Sequence, residues 1–456
     1  MLGYVGHDEI TLVPVARFPN NPVRTIDGLH WNILELYRNV SSGLGAAARQ
    51  ESDIRSIGVD SWAADYALIL GDRMLGNPYH YRDERTEDAV SRTHGVRSFE
   101  QLYAANGLQF LPFNTVYQLI AERRGDWLEH ADSLLLIPDL INFWLSGSKA
   151  AELTNASTTG LLNAHSQMWD DGLIDAFGFP RALLPDLITP GEQVGEVTAG
   201  VTSQLDLRSR IPVTAVGSHD TASAVAAVPA LTDDFAYISS GTWSLVGVEL
   251  EHPVITQASR MANFTNEGGV DGRIRFLKNV SGLWLLSESI RTWGHDEGTG
   301  IELGPLLEQA ASVTRDVPTF DASDQRFIAP GDMPRRIAEW CNEHGHAAPQ
   351  TKAEIARSIL ESLATAYAET LEQAAQLSGK TIEVIHVVGG GSQNALLCQL
   401  TANKTGRPVI AGPVEATAIG NVLIQARSRD MIRGTLETLR NRVSVGTPLR
   451  RFVPQA

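Results

Sequence analysis

IPVTAVGSHDTASAVAAVPA, residues 211–230, decides the fold class. Val213 to Val216 form a short β-branched run that reads as a strand. Gly217-Ser218-His219-Asp220 ends it, and the small residues from Thr221 onward continue at helical spacing. The same order returns near the other end of the chain, where IEVIHVV (382–388) meets the triple glycine Gly389 to Gly391 and SQNALLCQL (392–400) follows as helix. Strand, turn and helix in repeated succession predict an α/β protein. A glycine turn leading into a helix also leaves main-chain N–H groups open to an anion.

Working outward, IRSIGVDSWAADYALIL (54–70) alternates apolar residues through Val59, turns at Asp60 and Ser61, and returns as a second apolar run. FAYISSGTWSLVGVEL (235–250) is two strands interrupted at Gly241 and Thr242 in hairpin style. Gly28 to Val40 has helical spacing. Thr351 and Glu354 form a capping box before Ile355, Ile359, Leu363, Tyr367, Leu371 and Leu377, and Gly379 closes that helix. At the start, Leu2 to Val5 and Ile10 to Phe18 read as strands of a hairpin around a charged turn, Gly6 to Glu9. Pro229 and the acidic Leu231-Thr232-Asp233-Asp234 break the pattern, which places a junction near residue 230 and predicts domains over 1–229 and 230–456.

Composition bounds the function. At 456 residues the chain has room for more than one core. With 37 Lys+Arg against 53 Asp+Glu, its net charge of −16 repels phosphodiester backbones and anionic lipid, so neither nucleic acid nor membrane is expected as a partner. Cys341 and Cys398 are far apart and have no companions, which fits a reducing cytoplasm. No run is long enough for a membrane-spanning helix.

GxxxxGK[ST] is absent and GGGSQN does not satisfy GxGxxG, so neither a P-loop nor a dinucleotide fingerprint is present. The triple glycine reads either as a tight structural turn or as a main-chain cradle for a ligand. Asp220, at the carboxyl end of a strand and the start of a helix, either caps that helix or accepts a proton from a substrate hydroxyl. His219 and Thr221 beside it add hydrogen-bonding side chains where ligands of α/β folds sit. Gly241 to Ser244 is a tight turn whose Thr242 hydroxyl and N–H groups suit anionic oxygens. Asn279 lies within an apolar run, so its amide needs a backbone partner or a polyol ligand. Cys341, His344 and His346 have no fourth companion and read as a solvated turn rather than a metal site.

Read together and in order, IGVDSWAADYAL, YRDERT, FLPFNTVYQL, LTNASTTGLLN, SHDTASAV, SSGTWSL, ANFTNEGG, FLKNVSGLWLL, VVGGGSQNALL and AGPVEATAIGN resemble the FGGY family of carbohydrate kinases, and within it the branch that phosphorylates L-rhamnulose. The likeness runs from Met1 to about Gln425. It implies two actin-like ATPase (ribonuclease H-like) domains around a cleft, with sugar held mainly by the N-terminal domain and ATP mainly by the C-terminal one. It further implies that Asp220 is the general base on the C1 hydroxyl, that His219, Thr221 and Asn279 contact the sugar, that Thr242 and Gly390 contact ATP, and that Mg²⁺ accompanies the nucleotide.

Three departures qualify the likeness. Ala63 stands where the family has a glycine that contacts the sugar, which leaves a different ketose or deoxyketose as an alternative substrate. Ser287 stands where a glutamine contacts ATP. The chain also begins just beyond the family's Asp-Leu-Gly-Ala-Ser-Ser-Gly-Arg type phosphate loop. A reading frame that continues upstream is therefore expected, with a catalytically impaired sugar-binding paralogue as the rival.

Overall fold

The structure is a computed structural model that describes residues 1–6, 9–123 and 125–455. His7 and Asp8 of the expected charged turn lie outside the described residues, although the Gly6 N–H donates to the Glu9 carbonyl across it at 2.8 Å. The chain divides into two compact units. The first comprises 1–227, 249–276 and 417–446, and the second comprises 228–248, 277–416 and 447–456. The first crossing falls at Ala227–Val228, and two later segments return to the first unit.

In the first unit, β1 (Leu2–Val5) pairs antiparallel with β2 (Ile10–Val13), and Pro14 stops the second strand well short of Phe18. β3 (Pro22–Thr25) and β4 (Gly28–Trp31) form another hairpin. Helix α1 (Ile33–Gln50) starts only after it, so the helical spacing read from Gly28 begins inside a strand. β5 (Tyr66–Leu70) is the centre of a three-stranded sheet between β6 (Arg73–Met74) and β7 (Ser133–Leu136). Helix α2 (Thr115–Glu122) packs Leu119 and Ile120 into the core beneath that sheet, with Tyr66, Leu134 and Leu136.

The one-turn helix α3 (Leu153–Ala156) and strands β8 (Gln193–Glu196) and β9 (Pro212–Thr214) lead to α4 (Asp220–Ala226). Segment 57–61 runs parallel to the end of β9 and the turn after it, through bridges between Ile57 and Val213 and between Ser61 and His219. It is thus a short ladder rather than the full strand its alternation suggests.

The second unit is built on a sheet whose strands are introduced here in chain order. They are β10 (Phe235–Ser240), β11 (Trp243–Leu250), β13 (Ile274–Ser281), β14 (Val384–Val388), β15 (Val409–Ala411) and β16 (Arg450–Phe452); β12 (Thr265–Gly268) precedes β13 in the first unit. The order is β12-β13-β11-β10-β14-β15-β16, with β12 at the edge. β10 and β11 form the expected antiparallel hairpin, while β10, β14 and β15 are parallel.

Helices α5 (Trp284–Glu297), α6 (Met333–Glu343), α7 (Lys352–Ser378) and α8 (Ala395–Thr405) belong to this unit, and α9 (Ala416–Ser428) passes into the first. α7 has the predicted limits: Thr351 and Glu354 satisfy each other's backbone N–H groups, and Gly379 closes the helix at φ 72° in the left-handed region. Its Ile359, Leu363, Tyr367 and Leu371 are fully buried. Among the described residues no helix is long and apolar enough to cross a membrane.

Candidate active site

The turn before α4 is fastened from below by one buried carboxylate. Glu152, which caps α3, accepts from the Ser218 N–H at 2.9 Å, the Ser218 hydroxyl at 2.7 Å and the Thr154 N–H at 2.9 Å. Burial pushes Glu152 above the usual carboxylate range against these hydrogen bonds. Its neighbour Asp139, also buried and facing Glu152, is raised well above that range. Polar groups tied this way hold Gly217 to His219 in one conformation.

Asp220 emerges from that turn as the first residue of α4. His219, not Asp220, occupies the cap position, so the capping reading of Asp220 does not describe this structure. The Asp220 N–H donates to the Ser61 carbonyl at 2.9 Å. Its carboxylate accepts from the Thr221 hydroxyl at 3.1 Å and remains 49% exposed, so a ligand can reach it. Thr221 itself is buried and donates its hydroxyl proton to Asp220, which leaves the hydroxyl oxygen as an acceptor.

Behind His219 lies an ion pair absent from the sequence reading. Glu267 on β12 and Arg275 on β13 are buried, with Arg275 Nη1 3.1 Å from Glu267 Oε2 and Nη2 3.2 Å from His219 Nδ1. Burial pushes Glu267 up, but the charge of the Arg275 guanidinium opposes it and the carboxyl is held below its ordinary value. A second carboxylate, Asp60, precedes Ser61 and accepts from the Asn421 amide of α9. Burial, opposed by that hydrogen bond and reinforced by the charge of Asp220, raises Asp60 to about 7.

A third carboxylate, Asp65, is fully buried. It accepts from the indoles of Trp31 (2.6 Å) and Trp62 (3.0 Å), the Gln118 amide (2.9 Å) and the Tyr81 N–H (3.2 Å). It thereby joins three of the motifs named above. Ala63 has no left-handed backbone; its neighbour Ala64 does, at φ 72°.

In the second unit, the two expected nucleotide turns follow adjacent parallel strands. Ser239 of β10 is in register with Val388 of β14, so Gly241–Thr242 and Gly389–Gly391 open at the carboxyl ends of neighbouring strands, where α/β sheets bind ligands. Gly241 and Thr242 are exposed, and the N–H groups of Leu283 and Trp284 anchor their carbonyls at 2.9 and 3.2 Å.

The three glycines are not equivalent. A Cβ on Gly389 or Gly391 would lie 2.9 Å from the Ser240 carbonyl oxygen or 2.1 Å from its hydroxyl oxygen, whereas one on Gly390 meets nothing within 4 Å. Gly390 is also exposed. Asn279 is half-buried on β13, and Ser287 is exposed on α5. Cys341 is not on a solvated turn: it is buried in α6, and His344 stacks on Trp340 at 3.9 Å. Among the described residues no group of three or more His, Cys, Asp and Glu could hold a metal ion.

Glu267, Arg275, Asp60 and Asn421 were missed as site residues because nothing local marks them. Asp60, Glu267 and Asn421 did fall inside three of the quoted motifs, IGVDSWAADYAL, ANFTNEGG and AGPVEATAIGN, which was the one available signal.

Known proteins resemble this chain along nearly its whole length. The models of the FGGY family of carbohydrate kinases match residues 12–227 with the N-terminal domain and 236–429 with the C-terminal domain. A protein named Rhamnulokinase from Bacteroides thetaiotaomicron is 41% identical, covering 100% of this chain and 93% of its own length. Another of that name from Pectobacterium atrosepticum is 41% identical over 98% of this chain and 88% of its own. In three dimensions the chain is similar to xylulose kinase from Rhodospirillum rubrum (TM-score 0.76, 17% identity, 98% of this chain and 91% of that one). It is also similar to gluconate kinase from Lactobacillus acidophilus (TM-score 0.75, 16% identity, 96% and 87%). Those two likenesses establish the fold, two-domain and actin-like; the family models and the near full-length relatives establish that the chain belongs to the FGGY family of carbohydrate kinases.

Proposed function

We propose that this chain transfers the γ-phosphoryl group of ATP to the C1 hydroxyl of L-rhamnulose, giving L-rhamnulose 1-phosphate and ADP. The observation that carries the substrate is the 41% identity, along essentially the whole chain, to a relative named Rhamnulokinase. In this reading the exposed carboxylate of Asp220 accepts the C1 hydroxyl proton as that oxygen attacks the γ-phosphorus. The bond to the β,γ-bridging oxygen breaks, and ADP leaves with the electron pair. His219, Thr221 and Asn279 are assigned to the sugar, and Thr242 and Gly390 to the nucleotide. Catalysis of this type relies on positioning and charge stabilisation more than on covalent chemistry.

The described residues build no metal cluster of their own, so Mg²⁺ is read as part of the substrate, carried on the nucleotide's phosphates. The two buried free cysteines fit a reducing cytoplasm as the place of action. The test is ADP release by the purified chain with Mg-ATP and a panel of ketoses, with the product's phosphate located by NMR. L-rhamnulose should be turned over with the highest kcat/KM and carry phosphate on C1. A better rate on another ketose, or no turnover of any, overturns the proposal.

A further inference from the structure

We propose that Arg275 and Glu267 are positioning residues that keep the ring proton of His219 on Nε2, so that the imidazole offers a donor beside the Asp220 acceptor. The proposal rests on the reading above, in which His219 and Asp220 face the sugar. Arg275 is fully buried and its guanidinium is spread over three acceptors: Nε donates to the Gly268 carbonyl at 2.9 Å, Nη1 lies 3.1 Å from Glu267 Oε2, and Nη2 lies 3.2 Å from His219 Nδ1. A guanidinium has donors only. Nη2 can therefore bond Nδ1 only if Nδ1 offers its lone pair, and a neutral imidazole must then carry its proton on Nε2.

Glu267 competes for the opposite outcome, since its Oε2 is 3.2 Å from the same Nδ1 and would draw a proton there. Oε2 and Nη1 have no well-aligned hydrogen bond among the described residues, whereas the contact from Nη2 to Nδ1 does have that geometry. The positive charge of Arg275 offsets that of Glu267.

Nε2 then faces the carboxylate, 3.9 Å from Asp220 Oδ1. A donor and an acceptor at that separation suit two oxygens on neighbouring carbons, one hydroxyl giving its proton to Asp220 and the adjacent oxygen accepting from Nε2–H. The C1 hydroxyl and C2 carbonyl of a 2-ketose form such a pair.

The test combines ¹⁵N-histidine NMR of the whole chain, with His219 assigned by difference against His219→Gln, and steady-state kinetics with a ketose. The parent should carry its proton on Nε2. Arg275→Met leaves Nδ1 facing only a carboxylate, so the proton should move to Nδ1 and kcat/KM should fall about 10- to 100-fold, as when a charged hydrogen bond is lost. In Arg275→Met/Glu267→Gln the amide can donate to Nδ1, which should return the proton to Nε2 and recover most of the activity. Arg275→Met/Glu267→Leu is equally neutral, has no donor, and should remain low.

Should the single variant fail to fold, the two double variants decide. A parent proton on Nδ1, or double variants alike in tautomer and kcat/KM, overturns the proposal. Full activity of Asp220→Asn would instead overturn the base assignment and leave the tautomer result standing.

Discussion

The backbone N–H of Asp220 donates to the carbonyl of Ser61 at 2.9 Å, so the residue read as the base is held by a segment 159 positions earlier in the chain (220 − 61). The bond sets where α4 begins, while the carboxylate above it stays open to solvent. Asp220→Asn preserves that backbone bond and the acceptor for Thr221 and removes only the proton-accepting charge. It should fold as the parent does and lower kcat by something on the order of 10² to 10⁴. Kinetics within threefold of the parent at equal thermal midpoint would sink the base assignment.

Gly390 and Gly391, neighbours in one turn, should respond oppositely to a methyl group. Gly391→Ala places a Cβ 2.1 Å from the Ser240 hydroxyl oxygen in the heart of the sheet, so it should destabilise the protein by about 1–3 kcal/mol. Gly390→Ala meets no protein atom within 4 Å. It should leave the melting temperature within a degree or two of the parent and raise KM for ATP, with KM for the sugar unchanged. An unchanged KM for ATP would show that the nucleotide does not approach Gly390.

Asp60 should make stability fall as pH rises. Burial raises its carboxyl from the ordinary carboxylate range to about 7, so near neutral pH the native state holds a proton that the unfolded chain releases. The contribution is complete below about pH 4 and is lost as pH rises through about 7. Asp60→Asn, neutral throughout and still able to accept from Asn421, should flatten the denaturation midpoint between pH 5 and pH 8 relative to the parent. Parallel curves would show that Asp60 ionises normally.

Local patterns made much of the fold legible. The capping box at Thr351 and Glu354, the hairpin at Gly241–Thr242 and the strand-turn-helix around Asp220 each depend on residues within a few positions of one another, and each occurs, although the strand before Asp220 spans Pro212–Thr214 and stops short of the expected Val216. The support of the site was not legible, because it is assembled over long separations. Asn421 meets Asp60 across 361 positions and Ser218 meets Glu152 across 66. Arg275, in the alternating stretch Ile274-Arg275-Phe276-Leu277, looks like the solvent-facing member of a strand and is instead fully buried against Glu267. Periodicity carries no information about a charge whose partner lies on another element.

Gly420 shows how one such distant contact bears on Asp220. It lies in the interior of α9, where replacing glycine by alanine ordinarily stabilises a helix by roughly 0.5–1 kcal/mol. Here a Cβ would lie 1.8 Å from the Ser223 carbonyl oxygen and 2.7 Å from its carbon. Both are backbone atoms of α4, so no rotamer change relieves the overlap. The two helices share an apolar cluster in which Val216, Ala226, Val270, Ile424 and Leu436 are nearly or fully buried, which leaves little room for either to retreat. Gly420→Ala should therefore reverse the usual sign and destabilise by about 1–3 kcal/mol. The displaced element is the helix whose first residue is Asp220, so surviving folded protein should also lose kcat, while KM for ATP stays at the parental value. A stabilised variant with parental kcat would mean that α9 and α4 do not approach as closely as Gly420 and Ser223 imply.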